Sequence, residues 1–280
     1  MKSLCAQWRK RWVGWAALCT AALFCACATH AENLPGFRLP ELSDDSGTRF
    51  EKRGTTIDYG NTSQGYVMVM HSPSNKIIKL RVSMGKNSYT YDLNSQGEYE
   101  VFPLQMGDGK YSIQLFQEAK RGKYSPMESK SFQVKLDDPN IVYLYPNQYV
   151  DYGANSAAAA KSIALCQDLT TEAERVKAVY DFCYKQLVYH FERALNVKTG
   201  YLPNIDEVLA DRKGICFDFS ALMACMLRVQ NVPAQLVIGN TDKGYHAWNN
   251  VLVGGQWYRY DATFASLGTS VKKYVEERRY

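Results

Sequence analysis

The apolar positions of the chain follow a succession of different periods. Residues 12–28 are almost wholly apolar. From 55 to 136 apolar and polar residues alternate in short bursts, clearest in Tyr111-Ser112-Ile113-Gln114-Leu115. A period of two marks strands with one buried face. Strands are predicted over 66–70, 77–82, 89–93, 99–104, 111–116 and 131–136. Ser72-Pro73-Ser74-Asn75, Asn94-Ser95-Gln96-Gly97 and Gly107-Asp108-Gly109 supply turns between them. Short strands at this spacing predict an all-β, Ig-like or fibronectin-like sandwich over 53–138. Asp138-Pro139-Asn140 breaks the alternation, and 143–152 is aromatic and extended, predicting a strap across the second domain. The period then becomes helical. An alanine run predicts a helix over 156–169. Thr171-Glu172-Ala173-Glu174 is a capping box that opens another, with Val176, Val179, Tyr180, Cys183 and Leu187 as its buried stripe. Leu222, Cys225, Met226 and Val229 recur at i, i+3, i+4 and i+7 before Pro233 forbids further helix. Last, the β-type runs 248–253 and 256–260 flank Gly254-Gly255, a hairpin turn.

Residues 1–31 carry Lys2, Arg9, Lys10 and Arg11 ahead of their apolar run and contain no acid. With small residues at its end and a length below the roughly 20 residues of a membrane span, the segment is expected to be a cleaved signal peptide. Phe24-Cys25-Ala26-Cys27 partly matches a lipobox, so the alternative to a freely secreted product is an envelope lipoprotein anchored at Cys27. The Pro- and Gly-containing, charged stretch 32–52 is expected to be a linker.

Charge and cysteine usage change once that segment is set aside. Removing its four basic residues from the chain's 33 leaves 29 against 28 acidic ones, so the basic balance belongs to the signal and no nucleic-acid partner is implied. The cysteines left are Cys166, Cys183, Cys216 and Cys225, too few for a disulfide scaffold at this length. Cys166 and Cys183 are expected as buried thiols, with pairing between them as the alternative; Cys225 falls on the apolar face of its helix.

Cys216 is different. It opens its helix in Lys213-Gly214-Ile215-Cys216-Phe217-Asp218, where unpaired N–H groups and the positive end of the dipole favour a thiolate nucleophile. The Gly254-Gly255 turn fixes the hairpin register: Val253 faces Gln256, Trp248 faces Asp261 and His246 faces Thr263. His246 and Asp261 become diagonal neighbours on one sheet face, within reach of a carboxylate–imidazole hydrogen bond. A nucleophile, a base and an orienting acid thus follow in the order Cys216, His246, Asp261. His190 is the rival base, but no carboxylate can be placed beside it. Asp218 is expected to bond backbone N–H groups of the first helical turn, Trp248 to line the substrate cleft and shield the His–Asp pair, and Tyr201 either to line the cleft or to support the loop from beneath.

At Gly214-x-Cys216-x-Asp218, His246-Ala247-Trp248 and Asp261-x-Thr263-Phe264 the sequence resembles the transglutaminase-like superfamily, whose core is papain-like. The resemblance covers 139–280 and implies an α+β domain with Cys216, His246 and Asp261 as its triad. Ala262 departs from the proline often found after the aspartate, which removes no catalytic group.

With the export expected from residues 1–31, the resemblance implies a thiol enzyme that acts on a protein or peptide amide through a Cys thioester, either as a transglutaminase or, with water as acceptor, as a cysteine protease or amidase. The alternative is a cell-surface or protein-binding module with a vestigial triad; the presence of all the triad residues counts against it. A zinc site on the same side chains lacks the close paired ligand spacing of structural zinc. No cofactor or metal is expected. The chain is expected to be monomeric, with envelope association through the signal region or the sandwich.

Overall fold

The computed structural model describes residues 37–94 and 96–280. The expected signal peptide and Cys27 lie outside them.

The N-terminal unit contains strands β1 (Arg49–Lys52), β2 (Thr55–Asp58), β3 (Tyr66–His71), β4 (Ile78–Met84), β5 (Asn87–Leu93), β6 (Glu100–Pro103), β7 (Gly109–Lys120) and β8 (Lys123–Val134). They form two antiparallel sheets, ordered β1-β2-β3-β6 and β5-β4-β7-β8. Alternate residues turn inward: Ile57, Val67 and Val69 from one sheet, Leu80, Val82, Ile113 and Leu115 from the other, all fully buried in one core. Tyr91 on β5 meets Phe102 on β6 edge-to-face, with ring centroids 5.1 Å apart.

Two expectations are corrected by this architecture. The segment 32–52 is not wholly a linker: β1 pairs with β2 from Arg49↔Asp58 to Lys52↔Thr55, and Phe50 packs on the core. Its charges, Arg49, Glu51 and Lys52, belong to an edge strand with little buried surface, so they mask the alternation. The last two strands are also longer than predicted. They continue to a tight turn at Arg121-Gly122, with Lys120 opposite Lys123 and bulges along the way. The polar residues of this extension read as loop in the sequence, and Pro126 is tolerated because β8 is an edge strand.

The C-terminal unit follows the strap. Its helices are α1 (Ala157–Cys166), α2 (Glu172–Gln186), α3 (Phe191–Asn196), α4 (Ile205–Asp211), α5 (Cys216–Val229) and α6 (Ala262–Ser266). Its strands are β9 (Val188–Tyr189), β10 (Lys213–Gly214), β11 (Ala234–Thr241), β12 (Gly244–Val253), β13 (Gln256–Tyr260) and β14 (Tyr274–Arg279). β9 and β10 pair in parallel, and the other four form an antiparallel sheet in the order β13-β12-β11-β14. The capping box of α2 is complete: Glu174 N donates to Thr171 Oγ1 at 3.2 Å, and Thr171 N donates to Glu174 Oε2 at 2.9 Å.

The sequence predicts one buried face for α5. Instead every residue from Asp218 to Val229 is buried, because α1, α2 and α4 cover one side and β11 and β12 the other. Arg228 is fully buried within it. Its guanidinium donates to Ala234 O at 2.8 Å, Tyr145 O at 2.7 Å and Tyr280 O at 2.9 Å, joining helix, strap and strand by carbonyls alone. The strap also reaches the N-terminal unit: Tyr145 OH donates to Gln64 Oε1 at 3.1 Å, and Gln148 Nε2 donates to Asp92 O at 2.5 Å.

Candidate active site

The site begins at the glycine two residues before Cys216. Gly214 lies opposite Tyr189 in the β9–β10 pair. A Cβ on Gly214 would stand 2.5 Å from Asp218 Cβ and 3.0 Å from Asp218 Oδ2. Only glycine therefore lets the Asp218 carboxylate fold back over the start of α5. There Oδ2 accepts from Ile215 N at 2.8 Å and Oδ1 accepts from Tyr201 OH at 2.6 Å, while Arg193 Nη1 stands 3.5 Å from Oδ2. Burial pushes the Asp218 carboxyl up, and the donors from Tyr201, Ile215 and Arg193 oppose it. Tyr201 thus spends its hydroxyl on Asp218 at the start of α5; its ring meets Phe217 edge-on at 6.4 Å.

Cys216 is half-buried and free, while Cys166, Cys183 and Cys225 are free and buried. No disulfide joins Cys166 to Cys183. Burial pushes the Cys166 thiol up to about 11, and it raises Cys183 and Cys225 as well.

The β12–β13 register runs from Val253↔Gln256 to Asn249↔Tyr260 and stops there. Asp261 does not extend the strand. It caps α6, with Oδ1 accepting from Phe264 N at 2.9 Å. The expected pairing of His246 with Thr263 is therefore absent, since Thr263 lies on α6. An aspartate at the cap of Ala262-Thr263-Phe264 was the available sequence signal for this turn. The cap nevertheless aims the other oxygen at the sheet: His246 Nε2 lies 2.8 Å from Asp261 Oδ2. The Cys216 side chain also acts on the imidazole and favours its charged form. With Nε2 taken by the carboxylate, Nδ1 is the nitrogen left for the thiol. Burial disfavours the imidazolium, but the Asp261 hydrogen bond and the charges of Asp261 and Cys216 overcome it, and His246 is pushed up to about 9.

Aromatic rings enclose this pair. Trp248 is buried, its ring nearly parallel to His246 at 6.4 Å. Phe264 lies closer, 4.0 Å away at 26°. Tyr274, on β14, donates its hydroxyl to Asp261 Oδ2 at 2.9 Å. The sequence alone assigns no role to Phe264 or Tyr274: the first is legible as a motif letter only, and the second is fixed by a strand pairing that no local spacing announces. His190 adjoins the same loop, its N donating to Gly214 O at 2.8 Å, but its Nδ1 accepts from Arg193 N and caps α3.

Two adjoining cavities of about 580 and 540 Å³ lie beside the strap and share Asp151, Tyr152, Gly153, Leu202 and Pro203; neither is lined by Cys216, His246 or Asp261. Among the described residues no group of three or more His, Cys, Asp or Glu side chains stands ready for a metal ion.

Residues 159–262 match the transglutaminase-like superfamily, so the C-terminal unit carries a transglutaminase-like core. Among solved structures, a candidate cysteine protease from Cytophaga hutchinsonii is 13% identical over 77% of this chain and 91% of its own, with a TM-score of 0.40. A TGase is 22% identical over 42% of this chain and 32% of its own, with a TM-score of 0.34. Red sea bream transglutaminase is 12% identical over 74% of this chain and 49% of its own, with a TM-score of 0.31. No curated protein matches the chain.

Proposed function

We propose that this protein is an exported thiol enzyme that transfers the acyl group of a protein or peptide amide through a thioester on Cys216. The observation that carries this reading is the His246 Nε2–Asp261 Oδ2 contact at 2.8 Å beside Cys216, whose side chain favours the charged imidazole. His246 takes the thiol proton, and the sulfur adds to the amide carbonyl. The backbone N–H of Cys216, at the start of α5, donates to the resulting oxyanion. Collapse breaks the C–N bond as His246 returns the proton to the leaving amine. A second amine or water then attacks the thioester with His246 as base, freeing the thiol. Asp261 keeps the tautomer in which Nδ1 faces the sulfur. The two sheets before this unit are read as an Ig-like sandwich that presents it, the whole acting as a monomer without a cofactor.

Casein and a fluorescent primary amine test the reading. Amine incorporation or new peptide termini are expected with the parent and neither with Cys216→Ala or His246→Ala. The same signal from all three proteins would sink the enzyme reading.

A further inference from the structure

We propose that Tyr274 is a positioning residue of this site, holding the Asp261 carboxylate in place and weakening its grip on the His246 imidazolium; the proposal rests on the Cys216–His246–Asp261 reading.

Tyr274 lies beyond the family match at 159–262, on a strand that reaches the site from the far edge of the sheet. Its approach depends on Gly239. That residue pairs with His246 on one side and Glu276 on the other, at a register shift in the β11–β14 ladder. A Cβ on Gly239 would stand 2.1 Å from Val275 O and 3.0 Å from the Trp248 ring. The bare backbone thus lets β14 lie close and leaves Trp248 in place. Tyr274 then meets Trp248 edge-to-face at 5.1 Å, and the Arg259 guanidinium covers its ring at 3.8 Å.

The hydroxyl so positioned donates to Asp261 Oδ2 at 2.9 Å, the oxygen that His246 Nε2 meets at 2.8 Å. Phe264 N holds the other oxygen. With both oxygens fixed from outside the His–Asp pair, the carboxylate cannot rotate away when the imidazole changes charge. Burial, the Asp261 charge and their hydrogen bond raise the Tyr274 hydroxyl far above its ordinary range, so it stays a donor throughout. A donor on Oδ2 withdraws charge from the His246 imidazolium and makes the carboxylate a weaker partner for it. The other titratable or charged groups around the pair are Cys216 from α5, Tyr180 from α2 and Arg259 from β13.

Tyr274→Phe keeps the ring and removes only the donor. His246 would be titrated by NMR in a Cys216→Ala background, which uncouples it from the thiol. In Tyr274→Phe its midpoint should move up by about half a pH unit. With Asp261→Asn also present, Tyr274→Phe should cause no further shift, because the effect passes through that carboxylate. With Cys216 intact, Tyr274→Phe should retain iodoacetamide labelling at mildly acidic pH, whereas a merely structural loss would slow it. An unchanged or lowered midpoint, or an equal shift without Asp261, overturns the proposal. His246→Ala labelled as fast as the parent would instead overturn the triad reading, and the titration would still decide whether Tyr274 acts on His246.

Discussion

At the scale of single residues the site turns on how burial and partners divide the charges. His246 is buried, which by itself would favour neutral imidazole, yet Asp261 and Cys216 hold it protonated up to about 9. Its folded value lies above the ordinary ~6.5. The resulting stability is therefore fully present below about pH 6.5 and lost as pH rises through about 9. Thermal melts should show the parent losing more stability across that window than His246→Gln; parallel curves would mean the pair contributes nothing to folding. Asp261→Asn should keep a cap acceptor for Phe264 N but admit the wrong tautomer, lowering turnover by roughly 10³–10⁴-fold. Equal rates would remove Asp261 from the triad. Iodoacetamide at mildly acidic pH should label Cys216 before Cys166, Cys183 and Cys225, since those thiols are buried and pushed up. Peptide mapping of the labelled protein gives the order.

At the scale of elements, the start of α5 is built by a glycine and a buried carboxylate acting together. Gly214→Ala forces a Cβ to 2.5 Å from Asp218 Cβ. The overpacking should cost about 1–3 kcal/mol and slow Cys216 labelling, because the first turn of α5 must shift. Gly153→Ala is the control, with nothing within 4 Å of its new Cβ, and should be nearly neutral in the same melt. Similar losses in both variants would show that the Gly214–Asp218 contact does not set this turn. β14 is a second such element, since the close approach permitted by Gly239 carries Tyr274 to Asp261.

At the scale of the molecule, the N-terminal sheets and the start of α5 share a train of rings. Phe102 meets Tyr91 at 5.1 Å, Tyr91 meets Tyr149 at 5.9 Å, and Tyr149 meets Phe217, the neighbour of Cys216, at 5.8 Å. Tyr91→Ala in the full chain should cost about 3–5 kcal/mol through the cavity it leaves. It should also slow labelling at Cys216 under conditions where the protein stays folded. Loss of stability with unchanged labelling would mean that the sandwich supports the fold without bracing the nucleophile.

Patterns of short range were legible in the sequence. Period-two alternation marked most strands of the sandwich, the Thr171–Glu174 box marked α2, and the Gly254-Gly255 turn gave the register from Val253↔Gln256 onward. The turn fixed the pairs only as far as Asn249↔Tyr260; His246 and Asp261 meet because Asp261 caps α6, which the register did not foresee. The ends of β7 and β8 and the whole of β1 escaped, because strands with both faces near solvent need no apolar alternation. Burial of α5 on every side also escaped, since periodicity cannot distinguish a half-covered helix from one enclosed by other elements. Tyr274, Phe264, Arg193 and Arg228 were decided by the tertiary structure alone. Each acts on a partner fixed by long-range packing, and a hydrogen bond across strands distant in sequence leaves no local spacing to read.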